Sequence, residues 1–118
     1  MKRFILAVLL VAVAASTAAA YNLNFTLYNE TGYNITRMMA SPSGNDEWDP
    51  DLDTITPGRL RNGYHSRITF NNVNRYRRNS SHWDLRLYYA GRWHEWHNIP
   101  LSRVSRVYVN RRNQIDYE

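Results

Sequence analysis

Residues 82–97, HWDLRLYYAGRWHEWH, hold three of the chain's four tryptophans and three of its four histidines, beside two arginines and two acids. HEWH invites comparison with the zinc motif H-E-x-x-H, whose histidines lie four apart on one helical face. Here His94 and His97 are three apart in a stretch that alternates like a strand, so they should point to opposite faces. His82, on the neighbouring strand, is expected opposite His97, with no third ligand in view. Zinc is therefore rejected. Asp84 and Glu95, as cross-strand neighbours, have the composition of a glycosidase pair. They are more economically read with Arg86 and Arg92 as charge pairs on the solvent face of a hairpin. The chain has no G-x-S-x-G elbow and no cysteine nucleophile. These residues argue against an enzyme.

A second cluster is acidic. DEWDPDLD sets Asp46, Asp49, Asp51 and Asp53 close together, with Ser41, Ser43, Asn45 and Glu47 near enough to add oxygens. Calcium takes six to eight oxygens from loops of this kind. The EF-hand pattern fails, because Thr54 stands where the glycine belongs and Leu60 where the last glutamate belongs. Calcium is thus a possible ligand of this run, and a solvated acidic loop plugged by Trp48 and Leu52 is the plainer reading.

The tryptophans remain. Trp83 alternates with Leu85 and Leu87, which places it in a core. Trp93 and Trp96 are an odd number apart, so on a regular strand only one turns inward. The other would join Arg86, Tyr88 and Arg92 on an outer face with the composition of a binding hot spot. A bulge between Trp93 and Ile99 would instead turn both rings inward.

What must position these residues is small and all-β. Residues 1–20 read as a secretory signal peptide: Lys2 and Arg3, then an apolar run, then STAAA with Ala18 and Ala20 at the cleavage positions. Residues 21–118 are expected to form a single domain. A cysteine-free exported chain suits a bacterial periplasm or exterior. The four N-x-S/T sequons, at Asn24, Asn29, Asn34 and Asn79, then read as chance occurrences. Lys2 is the only lysine, so beyond the signal the positive charge is all arginine, the residue of bidentate carboxylate and phosphate contacts. Five of the ten acids crowd into residues 46–53, which leaves the remaining surface more basic than the net charge suggests. Export argues against nucleic acid and favours an acidic protein or an anionic envelope polymer.

After Ala20 the chain alternates between turns. YNLNFTLY puts Tyr21, Leu23, Phe25 and Leu27 on one face, and NETG turns. YNITRMMA follows with Ile35 and Met38 out of phase, so a bulge is expected. Residues 41–58 read as a long loop. RNGY carries the Asn-Gly pair of a hairpin turn. HSRITF, WDLRLYY, RWHEWHNI and VSRVYV supply further strands, with a hairpin turn at Ala90-Gly91, Val107 and Val109 inward, and a polar tail last. About six to seven strands, joined closely enough for antiparallel pairing, predict a small antiparallel β-sandwich.

The spaced motifs NETGYNI, SPSGNDEW followed by Asp51-Leu52, a glycine ahead of ITF, WDLRLYYAG and a tryptophan before the last strand resemble a loose group of small exported bacterial β-sandwich domains. The resemblance spans Asn29 to Val109. It implies the fold and the export. Such domains often carry cysteines where this chain has His82 and Leu101, so a disulfide is dispensed with. The group has no assigned activity, and the likeness transfers no catalytic residue. The expectation is an exported, non-enzymatic binding module, which includes an inhibitor or immunity-type role. The alternative is a calcium-stabilised or purely structural domain.

Overall fold

The computed structural model describes residues 21–48, 58–70, 73 and 77–118. The expected signal peptide and Asp49, Asp51, Leu52 and Asp53 of the acidic run lie outside them.

Seven strands are described: β1 (Phe25–Asn29), β2 (Arg37–Pro42), β3 (His65–Ile68), β4 (Trp83–Tyr89), β5 (Arg92–Ile99), β6 (Arg106–Val109) and β7 (Ile115–Tyr117). They form two sheets, ordered β3-β1-β6-β7 and β2-β4-β5. The helical content described is limited to two short 3-10 turns, Arg77–Asn79 and Leu101–Arg103. No helix among the described residues is long and apolar enough to cross a membrane. The chain is all-β.

Alternation decides the faces. In β1, Phe25 and Leu27 are buried and Thr26 and Tyr28 are half-buried; in β6, Val107 and Val109 are buried. In β4, Trp83, Leu85, Leu87 and Tyr89 are all buried. These side chains join Met38, Ala40, Ile68, Phe70, Ile99 and Leu101 in one hydrophobic cluster fed by both sheets. In β1, β4 and β6 every second residue is thereby removed from water, the condition for a half-buried sheet. Tyr21 is an exception to the expected phase and stays 47% exposed.

Three expectations need correction. β1 and β6 pair in parallel, with Leu27 opposite Val107, whereas every other strand pair is antiparallel. The polar tail is not a tail. Asn110 to Asn113 turn the chain, with Asn113 at a positive φ of 57°, and β7 then pairs with β6. The turn at Asn62-Gly63 does not join paired strands. Tyr64 N–H closes it on the Arg61 carbonyl at 3.1 Å, but Leu60 before it bridges Ile35 and β3 after it pairs with β1. Only Gly63 has a positive φ there, so the tight turn with two left-handed residues is not formed.

That geometry occurs at Ala90-Gly91, where φ is 53° and 78° and β4 returns as β5. The out-of-phase Ile35 is explained without a bulge in β2. It lies before the strand, buried by its bridge to Leu60, while Met38 and Ala40 keep regular inward phase.

Candidate binding face

The β4–β5 register settles the tryptophans. Tyr88 lies opposite Trp93 and Arg86 opposite Glu95, whereas Leu87 lies opposite His94 and Leu85 opposite Trp96. Cross-strand partners share a face. Trp93 is therefore on the outer face, and Trp96 is on the inner one, packed against the core. A bulge does exist, but it falls past Trp96: two residues of β4, Trp83 and Leu85, span the interval that Trp96 and Ile99 span on β5. Asn98 takes a positive φ of 61° there. The two rings stay on opposite faces.

The outer face of this sheet holds Arg37 and Met39 of β2, Arg86 and Tyr88 of β4, and Trp93 and Glu95 of β5. Tyr88 meets Trp93 edge-on at 5.3 Å. The Arg86 guanidinium lies 4.0 Å from the Trp48 ring and 5.8 Å from the Trp93 ring, and that of Arg37 lies 5.5 Å from Trp93. Each contact of this kind is worth about 0.5–1 kcal/mol at a surface. Arg86 also donates to Glu95 from Nε and Nη2, at 3.0 and 2.8 Å. The guanidinium is held by Glu95 over the Trp48 ring.

Trp48 reaches this face because its loop folds back. The Glu47 N–H donates to the Ser41 hydroxyl at 2.8 Å, which buries Ser41 and carries the next residue over β4. Trp48 is thus a lid on Arg86 and not a core plug. Its indole N–H donates to the Asp46 carboxylate at 2.8 Å. Arg37, Met39 and Trp48 escaped the sequence reading, although the alternation of Arg37, Met39 and Ser41 was the available signal for β2.

Two nominated residues do not join this face. Arg92 lies opposite Tyr89 on the inner-facing side, where its Nε is 3.3 Å from His94 Nε2. Trp96 donates its indole N–H to the Asn113 carbonyl at 3.1 Å. Beside it His94 is buried and stacked on Tyr89 at 3.8 Å. Burial, and then the charge of Arg92, hold the His94 pKa below its ordinary value, while burial pushes the Tyr89 hydroxyl up to about 12.

His97 does not face His82. Its Nδ1 lies 3.2 Å from Asp84 and its Nε2 lies 3.0 Å from Glu95, so the ring separates the two carboxylates. Asp84 and Glu95 are accordingly not a free acid pair. Among the described residues no group of three or more histidines and acids is placed to hold a metal ion. Of the four aspartates proposed for calcium, Asp46 alone is described.

Asp84 is buried, contrary to its expected solvent position, and its role is to close the bulge. It accepts the Asn98 N–H at 2.9 Å and the Ser43 hydroxyl at 2.8 Å. Burial by itself raises its pKa, but the bonds from Asn98, Ser43 and His97 together outweigh it and hold the carboxyl below the ordinary value of 3.8. A carboxylate with a lowered folded-state pKa stabilises above its unfolded value and loses that contribution as pH falls through the folded one. Asp84→Ala should therefore cost about 1–3 kcal/mol at neutral pH. In urea titrations the gap from wild type should hold steady above the ordinary value and close at pH values below 3.8. A gap unchanged in acid would refute the ionised bulge clasp.

Comparison with family models, with curated proteins and with solved structures finds no match to this chain.

Proposed function

We propose that the protein is an exported, non-enzymatic binding module, a small β-sandwich of the exported bacterial group its motifs resemble. Its outer β2-β4-β5 face engages an acidic protein or an anionic envelope polymer. The observation that carries this reading is the Trp48–Arg86–Trp93 arrangement, a guanidinium immobilised between two half-exposed indoles. Arginine and tryptophan are the residues that dominate interface energetics. Holding them in place beforehand lowers the ordering cost of association. The paired carboxylates near this face are separated by His97 and bound by neighbours, an arrangement suited to structure over proton transfer. An inhibitor that acts by covering its target is one form of the same activity.

The test is capture from an envelope extract, titrated with salt, using wild type, Arg86→Ala and Trp93→Ala. Both variants should stay folded and be compared below their melting transitions, since each loses surface contacts worth about 0.5–1 kcal/mol apiece. Capture of one defined partner should weaken about tenfold or more in each variant, and wild-type capture should fall as salt rises. Equal capture by all three proteins would refute the assignment of this face.

A further inference from the structure

A second surface of different chemistry opens at the edge of the other sheet. The chain on either side of the Asn62-Gly63 turn splays: Leu60 gives both its N–H and its carbonyl to Ile35, at 2.6 and 2.9 Å, while β3 pairs with β1. Between the two arms lies a cleft of about 650 Å³, lined by Asn34, Thr36, Arg59, Arg61, Tyr64 and His65 among others. No acid lines it. Arg59 and Arg61 are exposed, and among the described residues neither has a carboxylate within ion-pair reach. Tyr64 stands 61% exposed beside them.

β3 is also an edge strand; no described strand pairs with its far side. The Asn29 N–H donates to the Tyr64 carbonyl at 3.0 Å. Alternation along an antiparallel pair then turns the backbone groups of Ser66 and Ile68 toward β1 and those of His65 and Arg67 outward. An exposed edge of this kind is a template for strand addition, with main-chain bonds for affinity and side-chain contacts for selectivity.

We infer that this cleft takes an extended, carboxylate-bearing segment of a partner protein, added as a strand along β3 with its acids facing Arg59 and Arg61. A peptide fits better than an anionic polysaccharide, because only a peptide supplies amides in register with His65 and Arg67. The site is separate from the Trp93 face, so either assignment can fail without the other.

The experiment uses isotope-labelled protein and a capped hexapeptide alternating glutamate and valine, followed by amide NMR shifts. Saturable shifts should centre on the His65 and Arg67 amides. Binding should weaken about tenfold or more in the Arg59→Ala/Arg61→Ala double variant, whose melting temperature should match wild type because both side chains are exposed. A glutamine-for-glutamate peptide and a peptide N-methylated at alternate amides should each bind about tenfold more weakly or worse. Oligogalacturonate should leave the two amides unshifted. The inference is overturned if the peptide shifts neither amide, if the double variant or the N-methylated peptide binds as wild type does, or if oligogalacturonate binds there equally well.

Discussion

Trp83→Ala should destabilise the protein by about 3–5 kcal/mol, the range for deleting a buried aromatic ring. A domain of this size has a margin of about 5–15 kcal/mol, so the variant should be partly unfolded or close to it. Trp83 is fully buried at the start of β4, opposite Ile99. Its ring meets Phe70 edge-on at 5.1 Å, and its indole N–H donates to the Ser80 carbonyl at 2.8 Å. Phe70 follows β3 of one sheet and Trp83 belongs to the other, so removing the ring opens the contact between them. Trp83→Phe keeps most of the apolar volume and loses the hydrogen bond; it should recover most of the stability. Denaturant unfolding followed by circular dichroism measures all three proteins. An alanine variant that unfolds with wild type would place the core on the wrong face of β4.

Asn29→Leu should cost about 2–4 kcal/mol although it is larger in apolar surface, because it orphans buried polar groups. Asn29 is fully buried. Its amide nitrogen donates to the Tyr33 and Leu60 carbonyls at 2.7 and 2.8 Å. Its amide oxygen accepts the Thr31 N–H at 3.0 Å and the Thr31 hydroxyl at 2.7 Å. One side chain thus ties the end of β1 to the turn after it and to the segment bridged with Ile35. Asn29→Asp is nearly the same shape, yet it replaces two donors with an acceptor aimed at two carbonyls. It should be at least as damaging at neutral pH and milder in acid, where the carboxyl is protonated. If both variants unfold like wild type, the clasp contributes nothing. With both amide hydrogens committed, the folded side chain also has no room for a glycan, which agrees with reading that sequon as chance.

Which faces are buried was legible in the sequence because alternation reports it directly. Trp83, Leu85 and Leu87 behave as their spacing demands, and so do Val107 and Val109. Which strands are neighbours was not legible. Nothing in the residues of β1 and β6 announces a parallel partner about eighty positions away. That pairing stacks Tyr28 on Tyr108 at 4.6 Å, while β3 on the other side of β1 sets His65 tilted against the same ring at 5.1 Å, a row no local pattern reveals. β7 was missed because it is short and largely exposed, so it shows no buried stripe. Asn29 looked like a turn residue, although the inward phase of Phe25 and Leu27 continues through it. The proposed face was half legible. Arg86 and Tyr88 followed from alternation, which also puts Trp93 and Trp96 on opposite faces, but which of the two lies outward is set by the pairing of β4 with β5, a tertiary event.

The contrast between the two tryptophans is the sharpest test of the central claim. The affinity of the captured partner should be measured for wild type, Trp93→Ala and Trp96→Ala at a temperature where all three are folded. A binding face on the outside of β2-β4-β5 predicts a loss of about tenfold or more for Trp93→Ala and an affinity within about twofold of wild type for Trp96→Ala. Equal losses in the two variants, or a loss confined to Trp96→Ala, would contradict it.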